Sequence, residues 1–583
     1  MQTKLCCTIF LAVFAIILSF STSVPVSQFH CLTSTGAPEN GSSTFSISQC
    51  PANSRPLQWS ERLIAYARYA NRINATGWAE LEVVTSPLRP DAVQAYAAGL
   101  LEGHLTAPLI SSYRRNNRMG ALFDRSNGQC KGQAGFVADN LRHTISRVLA
   151  SPHDDYWREV GLVLYQIAGL DDGASGRRNL FLSPHLNVHP CGTYQMNMDT
   201  ESDDLQLIKA QVVNPDRDSH CSAFIKYIPG DDSKAAEVLV AHNTWGSYHN
   251  MLRLLKKYTL NYSTSAAKTV TMSGYPGQVF SHDDFYVTSQ GLVVQETSIE
   301  NFNASSWGHI NSQMIVLEFI RNAVANRMAS NGSEWARIFS RHNSGTYNNQ
   351  FMIVDYKKLN TGPGTGTGSI ERGLLTILEQ LPHLVHFEDL TEHLRQHRYW
   401  ASYNIPYFED VYAQAGFKEM THRRGAHYSY QLAPRAQMFA REQAKVGNLS
   451  ALMHLMRYND FRHDPLARCS ACSPPYSAEY AIAARADLND PHGRYPFREL
   501  AFRATGATDA KMTSRGLVER GEGEFVAVAG PTDQGQPPFD WRTFSDKSQL
   551  HFDQPAVWHF KPVITRWNST KDSGEFPYFG FDM

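Results

Sequence analysis

The 583-residue chain has almost no excess of charge of either sign. Its 54 Lys and Arg residues are balanced by 55 Asp and Glu residues, which leaves a formal net charge of -1. It also lacks the basic runs that are typical of nucleic-acid binding. We therefore expect no nucleic-acid partner. The composition is 42% hydrophobic and 19% charged, which is ordinary for a globular protein with a large core.

Several familiar catalytic and nucleotide-binding motifs are missing as well. No G-x-S-x-G occurs, which removes the usual signature of an α/β-hydrolase esterase, and no H-E-x-x-H occurs, which removes the commonest zinc-protease motif. The "CGSCW" context of papain-like proteases is also absent. The glycine-rich run "NTGPGTGTGS" at 360–369 contains no Lys and predicts a flexible hairpin connection rather than a phosphate-binding loop. We expect no metal and no cofactor.

Long apolar runs are scarce, and the longest one lies at the N-terminus. Residues 1–23 contain one Lys, an apolar stretch from Leu5 to Phe20 and small polar residues, which together predict a cleaved signal peptide ending near Ser23. An uncleaved membrane anchor is the alternative, but the stretch is short for a spanning helix. The mature protein is therefore expected to be soluble and to fold in an oxidising compartment.

Glycosylation sequons agree with a secretory route. The N-x-[ST] pattern occurs seven times, and several such sites on one secreted chain predict surface loops that carry glycans. The seven asparagines are Asn40, Asn74, Asn261, Asn303, Asn331, Asn448 and Asn568.

Cysteine is sparse, and its count is informative. Nine cysteines occur, and two of them lie in the predicted signal peptide. The seven that remain are Cys31, Cys50, Cys130, Cys191, Cys221, Cys469 and Cys472. Since seven is odd, at least one of these cysteines is unpaired or pairs between chains.

The pairing of these cysteines is only partly predictable. Cys469 and Cys472 predict a local disulfide; a redox pair, or half of a zinc site that includes His463, are the alternatives. Cys31 and Cys50 form a plausible short disulfide loop. The connectivity of the remaining cysteines stays open.

The apolar periodicity changes character along the chain. Segments with apolar residues at i, i+3 and i+4 predict helices; they are "WSERLIAYARYANRI", "PDAVQAYAAGLLEGHLTAPLISSYRRN", "FVADNLRHTISRVLA", "DDYWREVGLVLYQIAGL", "QMIVLEFIRNAVANRMA" and "SEWARIFSRH". Alternating or β-branched runs predict strands; they are "LQLIKAQVV", "CSAFIKYIPG", "AEVLVAHNTW", "FYVTSQGLVVQETSI", "NQFMIVDYKKL" and "GLLTILEQLPHLVHFEDL". Without a repeat or a low-complexity linker, we expect one compact α+β unit with antiparallel sheets inside and helices outside.

Cys221, in "RDSHCSAFI", is the strongest candidate for a reactive group. It follows a polar loop and heads a predicted strand, and a buried or paired structural cysteine is the alternative. The odd cysteine count and His242 in "VAHNTWGSYHN" favour reactivity, because a hairpin would place His242 beside Cys221. His282, Asp283 and Asp284 in "SHDDFY" predict only a turn-capping or structural role.

A thiol at a strand start permits one economical reaction. Its sulfur can attack the carbonyl of His220 in an N-to-S acyl shift, and hydrolysis then leaves Cys221 as a new N-terminus. The α-amino group, with an ordinary pKa of about 7.7 to 8.0, can serve as the base for the thiol of the same residue. A bulky residue such as His220 before the cysteine is expected to slow this shift.

Long motifs resemble the phospholipase B-like family, also called lamina-ancestor-like proteins, and within it the lysosomal 66 kDa branch. The resemblance extends from about residue 50 to the C-terminus. The motifs that carry it are "CSAFIKYIPG", "VAHNTW", "QETSIENFN", "RHNSGTYNNQFMIVDYKKL", "LTILEQLP", "YWASYNIPYFE", "LAPRAQMFAREQ" and "MRYNDFRHDPL".

The resemblance implies a fold and a maturation step. The fold is an N-terminal-nucleophile (Ntn) hydrolase αββα four-layer sandwich, with two antiparallel sheets between helices. Cleavage between His220 and Cys221 would give a mostly helical fragment, 24–220, and a fragment, 221–583, that carries the nucleophile and most of the sheet core. The two chains would stay associated.

The resemblance also implies a set of site residues. Cys221 takes the nucleophile position, His242 lines the pocket beside it, Thr297 and Asn404 match further pocket positions, and Arg435 matches the cationic one. An Asn amide can stabilise an oxyanion, and an Arg near the new N-terminus favours the thiolate.

The expected function is therefore hydrolysis of an acyl ester or amide bond, in phospholipid or N-acyl substrates. Transient contact with membrane lipid and a homodimer are compatible with this expectation. The alternative is a glycoprotein of the same fold that mainly binds a ligand, with little turnover.

Overall fold

The computed structural model describes residues 28–35, 44–50, 59–119, 134–176, 186–210, 212, 221–230, 235–360, 369–567 and 574–575. The predicted signal peptide, His220, Asn40, Asn568 and most of the glycine-rich run lie outside these ranges. Within them, no helix is both long enough and apolar enough to cross a membrane.

Twenty-one strands form the described β-structure. They are β1 (Gln28–Thr35), β2 (Thr44–Gln49), β3 (Leu63–Asn71), β4 (Ala79–Thr85), β5 (Cys221–Ile228), β6 (Glu237–Ser247), β7 (Leu254–Thr259), β8 (Thr269–Gly274), β9 (Phe285–Thr288), β10 (Leu292–Ser298), β11 (Asn349–Asp355), β12 (Leu375–Leu381), β13 (Leu384–Asp389), β14 (Tyr399–Ser402), β15 (Thr505–Ala507), β16 (Asp509–Ser514), β17 (Val526–Ala529), β18 (Phe539–Asp540), β19 (Val557–Trp558), β20 (Val563–Ile564) and β21 (Gly574–Glu575).

Fourteen α-helices accompany them in the same ranges. They are α1 (Ile73–Thr76), α2 (Asp91–Asn116), α3 (Ala134–Ala150), α4 (Asp155–Ala174), α5 (Thr193–Asn197), α6 (Asp199–Ala210), α7 (Glu318–Met328), α8 (Gly332–Phe339), α9 (Thr391–His397), α10 (Glu409–Gln414), α11 (Phe417–Arg424), α12 (Pro434–Glu442), α13 (Leu449–Met456) and α14 (Arg515–Val518).

Most of the strands belong to two sheets. The larger has 11 strands in the order β13-β12-β11-β10-β9-β8-β7-β4-β3-β1-β2, and the smaller has eight, in the order β14-β5-β6-β16-β17-β20-β21 with β15 paired to β6. Among the described pairings, β4 with β7 is parallel and the others are antiparallel. These sheets confirm the predicted α+β class. Through β4 and β7, residues on both sides of Cys221 share one sheet.

The larger sheet is buried on both faces. One apolar cluster fills the space between the two sheets and includes Ile225 and Val240 of the smaller sheet and Val293 and Met352 of the larger. A second cluster joins the opposite face of the larger sheet to helices that include α2, α4 and α7. Helix α13 contacts β5, β6 and β16 of the smaller sheet, and Phe439 of α12 stacks on Phe224 at 5.3 Å between ring centroids.

Burial on both faces explains one wrong prediction. The segment "WSERLIAYARYANRI" was expected to be helical, but Leu63–Asn71 within it is strand β3. Six of its nine residues are buried, on both faces of the strand, and such a strand loses the simple alternation of apolar and polar residues. The 24–220 fragment therefore contributes four strands in addition to its helices.

The opposite error concerns "LQLIKAQVV", which was expected to be a strand. Its described residues up to Ala210 belong to helix α6. Asp199 and Glu201 lie in the first turn of this helix and Lys209 in the last, an arrangement that complements the helix dipole. This distribution of charge indicates a helix, but the short apolar run was interpreted as a strand.

Other local predictions are confirmed. β9 and β10 form a hairpin that turns at Gln290-Gly291, where Gly291 adopts the left-handed conformation that such a turn requires (φ 69°).

The disulfides Cys31–Cys50 and Cys469–Cys472 are both present, and Cys191 is disulfide-bonded too. Because Cys469 and Cys472 bond each other, the zinc alternative with His463 is wrong; His463 is exposed and pairs with Asp460 instead.

Five of the seven sequons lie in the described residues, and their glycosylation stays a prediction. Asn74 and Asn448 are exposed. Asn303, Asn331 and Asn448 also cap helices, because each side-chain oxygen accepts a hydrogen bond from a backbone N–H of the helix that follows. Asn261 is only partly exposed, and its Nδ2 donates to the Thr85 carbonyl at 2.7 Å.

Candidate active site

Cys221 is the first residue of β5, and it is the free cysteine of the described part of the chain. In the β5–β6 pair, Cys221 lies opposite Thr244 and Ala223 lies opposite His242. Residues two apart on a strand share a face, so Cys221 and His242 point to the same side of the sheet. The hairpin predicted from the sequence therefore does bring His242 beside the thiol.

That side of the hairpin faces the larger sheet and brings a third group to the thiol. Potential ligand atoms of Cys221, His242 and Asp284 all lie within 4.8 Å of one another. The Cys221 Sγ and the Asp284 Oδ2 are 3.9 Å apart. The nucleophile candidate thus lies in a buried polar site between the two sheets.

The orientation of His242 is fixed by one hydrogen bond. Its Nε2 donates to the Glu296 carbonyl at 2.8 Å, since a carbonyl oxygen can only accept. The other ring nitrogen, Nδ1, is buried and has no hydrogen-bond partner among the described residues. Burial and the neighbouring Lys511 hold the pKa of His242 well below its usual value, so the ring is neutral and Nδ1 offers a free lone pair.

Asp284 was expected to have only a structural role, but its carboxylate reaches the thiol. Tyr347 donates its phenolic O–H to this carboxylate, at 3.0 Å from both oxygens. Burial raises the pKa of Asp284 to about 7, although hydrogen bonds from Glu296 and Tyr347 act in the opposite direction. Burial together with the Asp284 charge raises the pKa of Glu296 well above its usual value. Glu296 is therefore held in its protonated form beside Asp284.

Three backbone positions around the thiol lie in the left-handed region. Their φ angles are 58° for Asp284, 46° for Tyr347 and 71° for Asn404. Asp and Asn tolerate this conformation, but a tyrosine rarely adopts it. Such positions cost of order 1–3 kcal/mol each and cluster at functional sites, where the surrounding structure enforces them. The Tyr347 loop is enforced by the bond from Tyr347 N to Asp204 at 2.7 Å.

Asp283, the residue before Asp284, belongs to a separate ionic cluster. Its carboxylate accepts from Arg253 at 3.2 Å, and Arg253 also bonds Asp509 at 2.6 Å. Lys511 donates to Asp509 at 2.7 Å and to the Thr244 hydroxyl at 2.6 Å. Burial favours the neutral form of Asp283, but Arg253 and Lys511 outweigh it and lower the pKa to about 2. The cluster is ionised and charge-balanced, with two cations and two anions.

On the other side, Asn404 and Arg435 hold the backbone of the nucleophile. Asn404 Oδ1 accepts from the Cys221 backbone N at 3.1 Å, and its Nδ2 donates to the Ser298 carbonyl at 2.8 Å. Arg435 donates to the Cys221 carbonyl at 2.6 Å and to Asn404 Oδ1 at 2.8 Å. Burial lowers the pKa of Arg435 to about 10.

These contacts change two expected roles. The amide nitrogen of Asn404 is engaged with Ser298, so its oxygen, rather than an N–H donor for an oxyanion, faces Cys221. Arg435 contacts the carbonyl of Cys221 rather than its sulfur. Its guanidinium also lies 4.4 Å from the centroid of the Trp245 ring. Both residues therefore position the backbone of the nucleophile.

The thiol itself is held in its protonated form. Burial raises the pKa of Cys221 well above its usual value, and Asp284 adds to this effect; the Trp245 backbone N–H and Lys511 act against it. A nucleophile in such surroundings needs a base that takes its proton during attack. His242 Nδ1 and the Asp284 carboxylate are the nearest acceptors.

Thr297 lies in β10, and its side chain bonds a residue of β14. Its hydroxyl is hydrogen bonded to the Ser402 hydroxyl at 2.7 Å. Ser402 lies in β14, opposite Ala223 of β5. Thr297 thus touches the nucleophile strand through Ser402.

The cavity beside the site is small, and a much larger cavity lies elsewhere in the protein. A cavity of about 40 Å³ is lined by residues that include Tyr403, Asn404, His427 and Arg435. A larger cavity of about 940 Å³ lies along residues 441–465, and none of the five predicted site residues lines it. We assign the chemistry to the smaller cavity because it adjoins Cys221 through Asn404 and Arg435.

Sequence reasoning missed Asp284, Tyr347 and Lys511. The last two come from strands and loops more than a hundred residues after Cys221, so no local spacing connects them to it. The available signals were "SHDDFY", which was interpreted as a turn, and "NSGTYNNQ", which served only to establish the resemblance.

Known proteins with similar sequences cover most of the chain. The family model described as phospholipase B matches residues 65–565. The proteins named "Putative phospholipase B-like 2" from Rattus norvegicus and Homo sapiens are each 42% identical, over 518 and 517 residues; each alignment covers 87% of this chain and 86% of the relative. "Phospholipase B-like 1" from Rattus norvegicus is 33% identical over 524 residues, which cover 86% of this chain and 88% of the relative.

Among solved structures, penicillin V acylase from Agrobacterium tumefaciens aligns with a TM-score of 0.28 and 10% identity. The alignment covers 62% of this chain and 100% of that one. An overlap of this quality supports no inference about the fold.

Proposed function

The chain belongs to the phospholipase B family, and on that premise we propose that it is an Ntn hydrolase with Cys221 as its nucleophile. One observation carries the proposal. The free thiol sits on the first residue of an inner strand, and separate side chains hold both backbone groups of that residue: Asn404 holds its N and Arg435 its carbonyl. These two hydrogen bonds would hold Cys221 in place after cleavage turns its backbone amide into a free N-terminal amine.

The layers of the fold agree with this proposal. Helices including α2 and α4 cover one face of the larger sheet, and the smaller sheet covers the other. Helices α12 and α13 contact the smaller sheet. We interpret this order as the αββα four-layer sandwich.

Maturation would occur in two steps. In the first, the Cys221 sulfur bonds to the carbonyl carbon of His220, the C–N bond breaks, and the thiol proton reaches the departing nitrogen through His242 Nδ1 or Asp284. In the second, water hydrolyses the thioester and leaves a carboxylate on residue 220 and a free thiol on Cys221. The pairing of β4 with β7 would hold the two chains together after the cut.

Turnover would use the same atoms. The new α-amine, held by Asn404 Oδ1, or a neighbouring base accepts the thiol proton while the sulfur attacks the acyl carbonyl of the substrate. The departing alcohol or amine takes up that proton, and water then cleaves the acyl thioester. The side chains present fit an acyl ester or an acyl amide, so phospholipids and N-acyl compounds are the substrate classes we propose.

The proposed location is the lysosome lumen or the extracellular space, and the proposed form is a glycoprotein. Five buried carboxyl groups support an acidic location, because their pKa values are raised to about 7 or 8; they are Asp199, Glu201, Asp284, Glu318 and Glu379. Protonated buried acids are most stable at acidic pH.

Two measurements on protein from a secretory host test the proposal. N-terminal sequencing of the native protein is expected to find a fragment that begins at Cys221, whereas Cys221→Ala is expected to stay uncut. A screen of phospholipid and N-acyl substrates at acidic pH, on cleaved protein, is expected to find turnover. A cleaved Cys221→Ala variant that hydrolyses every substrate of the native form would overturn the nucleophile assignment.

The second candidate, a ligand-binding glycoprotein with little turnover, is favoured by the small volume of the cavity beside Cys221, about 40 Å³. Saturable binding of an acyl lipid by cleaved protein, without product over many hours, would support this candidate instead.

A further inference from the structure

The thiol, the imidazole and the carboxylate at the site form a set of donors that suits a metal ion. Cys221 offers sulfur, His242 a ring nitrogen and Asp284 a carboxylate oxygen, and these ligand atoms lie within 4.8 Å of one another. Since Nε2 of His242 is bonded to the Glu296 carbonyl, Nδ1 is the nitrogen left for a metal. Sulfur and imidazole nitrogen are the preferred ligands of zinc, whereas calcium and magnesium prefer sets of oxygen ligands. We propose that Cys221, His242 and Asp284 form a Zn²⁺ site that caps the nucleophile.

His242 is already oriented as a metal ligand. In zinc sites, the ring nitrogen that does not bind the metal usually donates its N–H to a carbonyl or a carboxylate. His242 does this, with Nε2 donating to the Glu296 carbonyl at 2.8 Å. Its Nδ1 is fully buried and lacks a hydrogen-bond partner in the part of the chain that the structure describes, and an unpaired buried acceptor costs stability.

Asp284 is oriented as well. Tyr347 donates to both of its oxygens at 3.0 Å, and the left-handed backbone at Asp284 aims the carboxylate at the thiol. The Cys221 Sγ and the Asp284 Oδ2 are 3.9 Å apart, while two ligands of a tetrahedral zinc ion lie about 3.3–3.8 Å apart. Side-chain shifts of less than about 1 Å therefore complete the site.

Charge balance permits the ion. The nearest cation, Lys511, is neutralised by Asp509 at 2.7 Å and also donates to the Asp283 carbonyl. On binding, the Cys221 thiol loses its proton to solvent and its sulfur donates an electron pair to Zn²⁺. Asp284 binds as the carboxylate, and any proton it holds also goes to solvent. The neutral His242 donates its Nδ1 lone pair with no change in protonation.

Zinc at this position would block the attack by Cys221, so the site would act as a reversible inhibitory site. This consequence rests on the proposed function, but the metal site itself does not. Its ligands are present whether or not the bond before Cys221 has been cut.

The test is a titration of the purified full-length protein with ZnCl₂ near neutral pH, in competition with a chromophoric chelator. We expect one tightly bound ion per chain and net proton release. Bound Zn²⁺ should slow alkylation of Cys221 by iodoacetamide at least about 10-fold, and EDTA should restore it. This protection assay needs no variant.

Variants locate the ion. Cys221→Ser, His242→Gln and Asp284→Asn should each weaken zinc binding at least about 100-fold, and Tyr347→Phe, which removes only the support of a ligand, about 10-fold. The matched control His463→Gln removes an exposed histidine and should change nothing. Near-ultraviolet circular dichroism confirms that each variant is folded.

Unchanged alkylation of Cys221 at saturating zinc, or unchanged affinity in folded Cys221→Ser, would overturn the zinc site and indicate adventitious surface binding only. Hydrolysis without zinc binding would leave the proposed function intact. Zinc binding to a protein whose hydrolysis does not depend on Cys221 would leave the zinc site intact and refute the proposed function.

Discussion

Asp283 and Asp284 are adjacent and fully buried, yet their surroundings give them opposite properties. Asp283 faces Arg253 and Lys511, which lower its pKa to about 2 despite its burial. Asp284 faces the Cys221 thiol, Glu296 and Tyr347, and burial raises its pKa to about 7. Two consecutive residues thus differ in charge: Asp283 is ionised at all but very acidic pH, whereas Asp284 exchanges its proton near neutral pH.

This difference in pKa indicates that the two aspartates have different roles, one structural and one in acid–base chemistry. The Asp283 cluster is balanced and hydrogen bonded, so it fixes the strands behind the thiol. The Asp284 cluster contains an excess of acid, and no cation of the described residues bonds to it directly. This arrangement costs stability but places a carboxylate 3.9 Å from the sulfur. Pairs of acids with divergent pKa values are a common sign of an acid–base site.

The largest expected effect is on the chemistry of Asp284. Asp284→Asn keeps the shape and suits the left-handed backbone, but it removes the proton acceptor. We expect processing and hydrolysis at about pH 7.5, where Asp284 is ionised, to slow about 10²–10⁴-fold, the range for general acid–base groups, with an unfolding free energy no lower than that of the native protein. Rates of cleavage before Cys221 and of substrate hydrolysis measure the first effect, and thermal unfolding measures the second. Near-native rates would contradict the role of Asp284.

The neighbouring substitution should show the reverse. Asp283→Asn leaves Arg253 and Lys511 with one anion, Asp509, between them. Removing one partner of a buried ionic cluster costs about 3–5 kcal/mol. The shift in denaturant midpoint measures this loss, with Asp284→Asn as the matched control. Equal stability of the Asp283→Asn and Asp284→Asn variants would contradict the structural role assigned to Asp283.

The next largest effect is on the pH dependence of stability, in which the acids of raised pKa and Asp283 should act in opposite directions. The five buried acids with raised pKa hold protons in the native state that the unfolded chain has released, so stability is lost as the pH rises from about 4 through about 7. The slope is about 1.4 kcal/mol per pH unit for each such proton. Asp283 acts oppositely: its contribution is present above pH about 4 and is lost as the pH falls toward 2.

Thermal unfolding across this range is the measurement. We expect a higher Tm at pH about 5 than at about 7.5, and a shallower decline in Asp284→Asn because one titrating group is gone. A Tm that rises steadily from acidic to neutral pH would show that these acids are ionised in the native protein.

The smallest expected effect concerns Tyr347. Tyr347→Phe removes one hydrogen bond to the Asp284 carboxylate, which costs about 1–2 kcal/mol of unfolding free energy. Loss of this donor also raises the pKa of Asp284 further, so the pH dependence of hydrolysis should move toward higher pH. The pH–rate profile checks this shift, and an unmoved profile with reduced stability would restrict Tyr347 to a structural role.

The sequence predicted the features of the site that depend on local structure. Cys221 and His242 lie on one hairpin, so strand periodicity and the odd cysteine count were sufficient to place them together. Lys511 reaches the same point from β16, which pairs with β6, and Asp284 reaches it from the turn before β9 in the other sheet. Strand β3 was mistaken for a helix because burial of both faces removes the alternation on which strand prediction depends.

The most direct test of the account is mass spectrometry of the cleaved protein during turnover of a substrate from the screen, quenched in acid. The account predicts an acyl group on a peptide whose N-terminal residue is Cys221, as a thioester that disappears once substrate is exhausted. Sustained turnover with Cys221 unmodified, or in protein whose Cys221 has been fully alkylated, would contradict it.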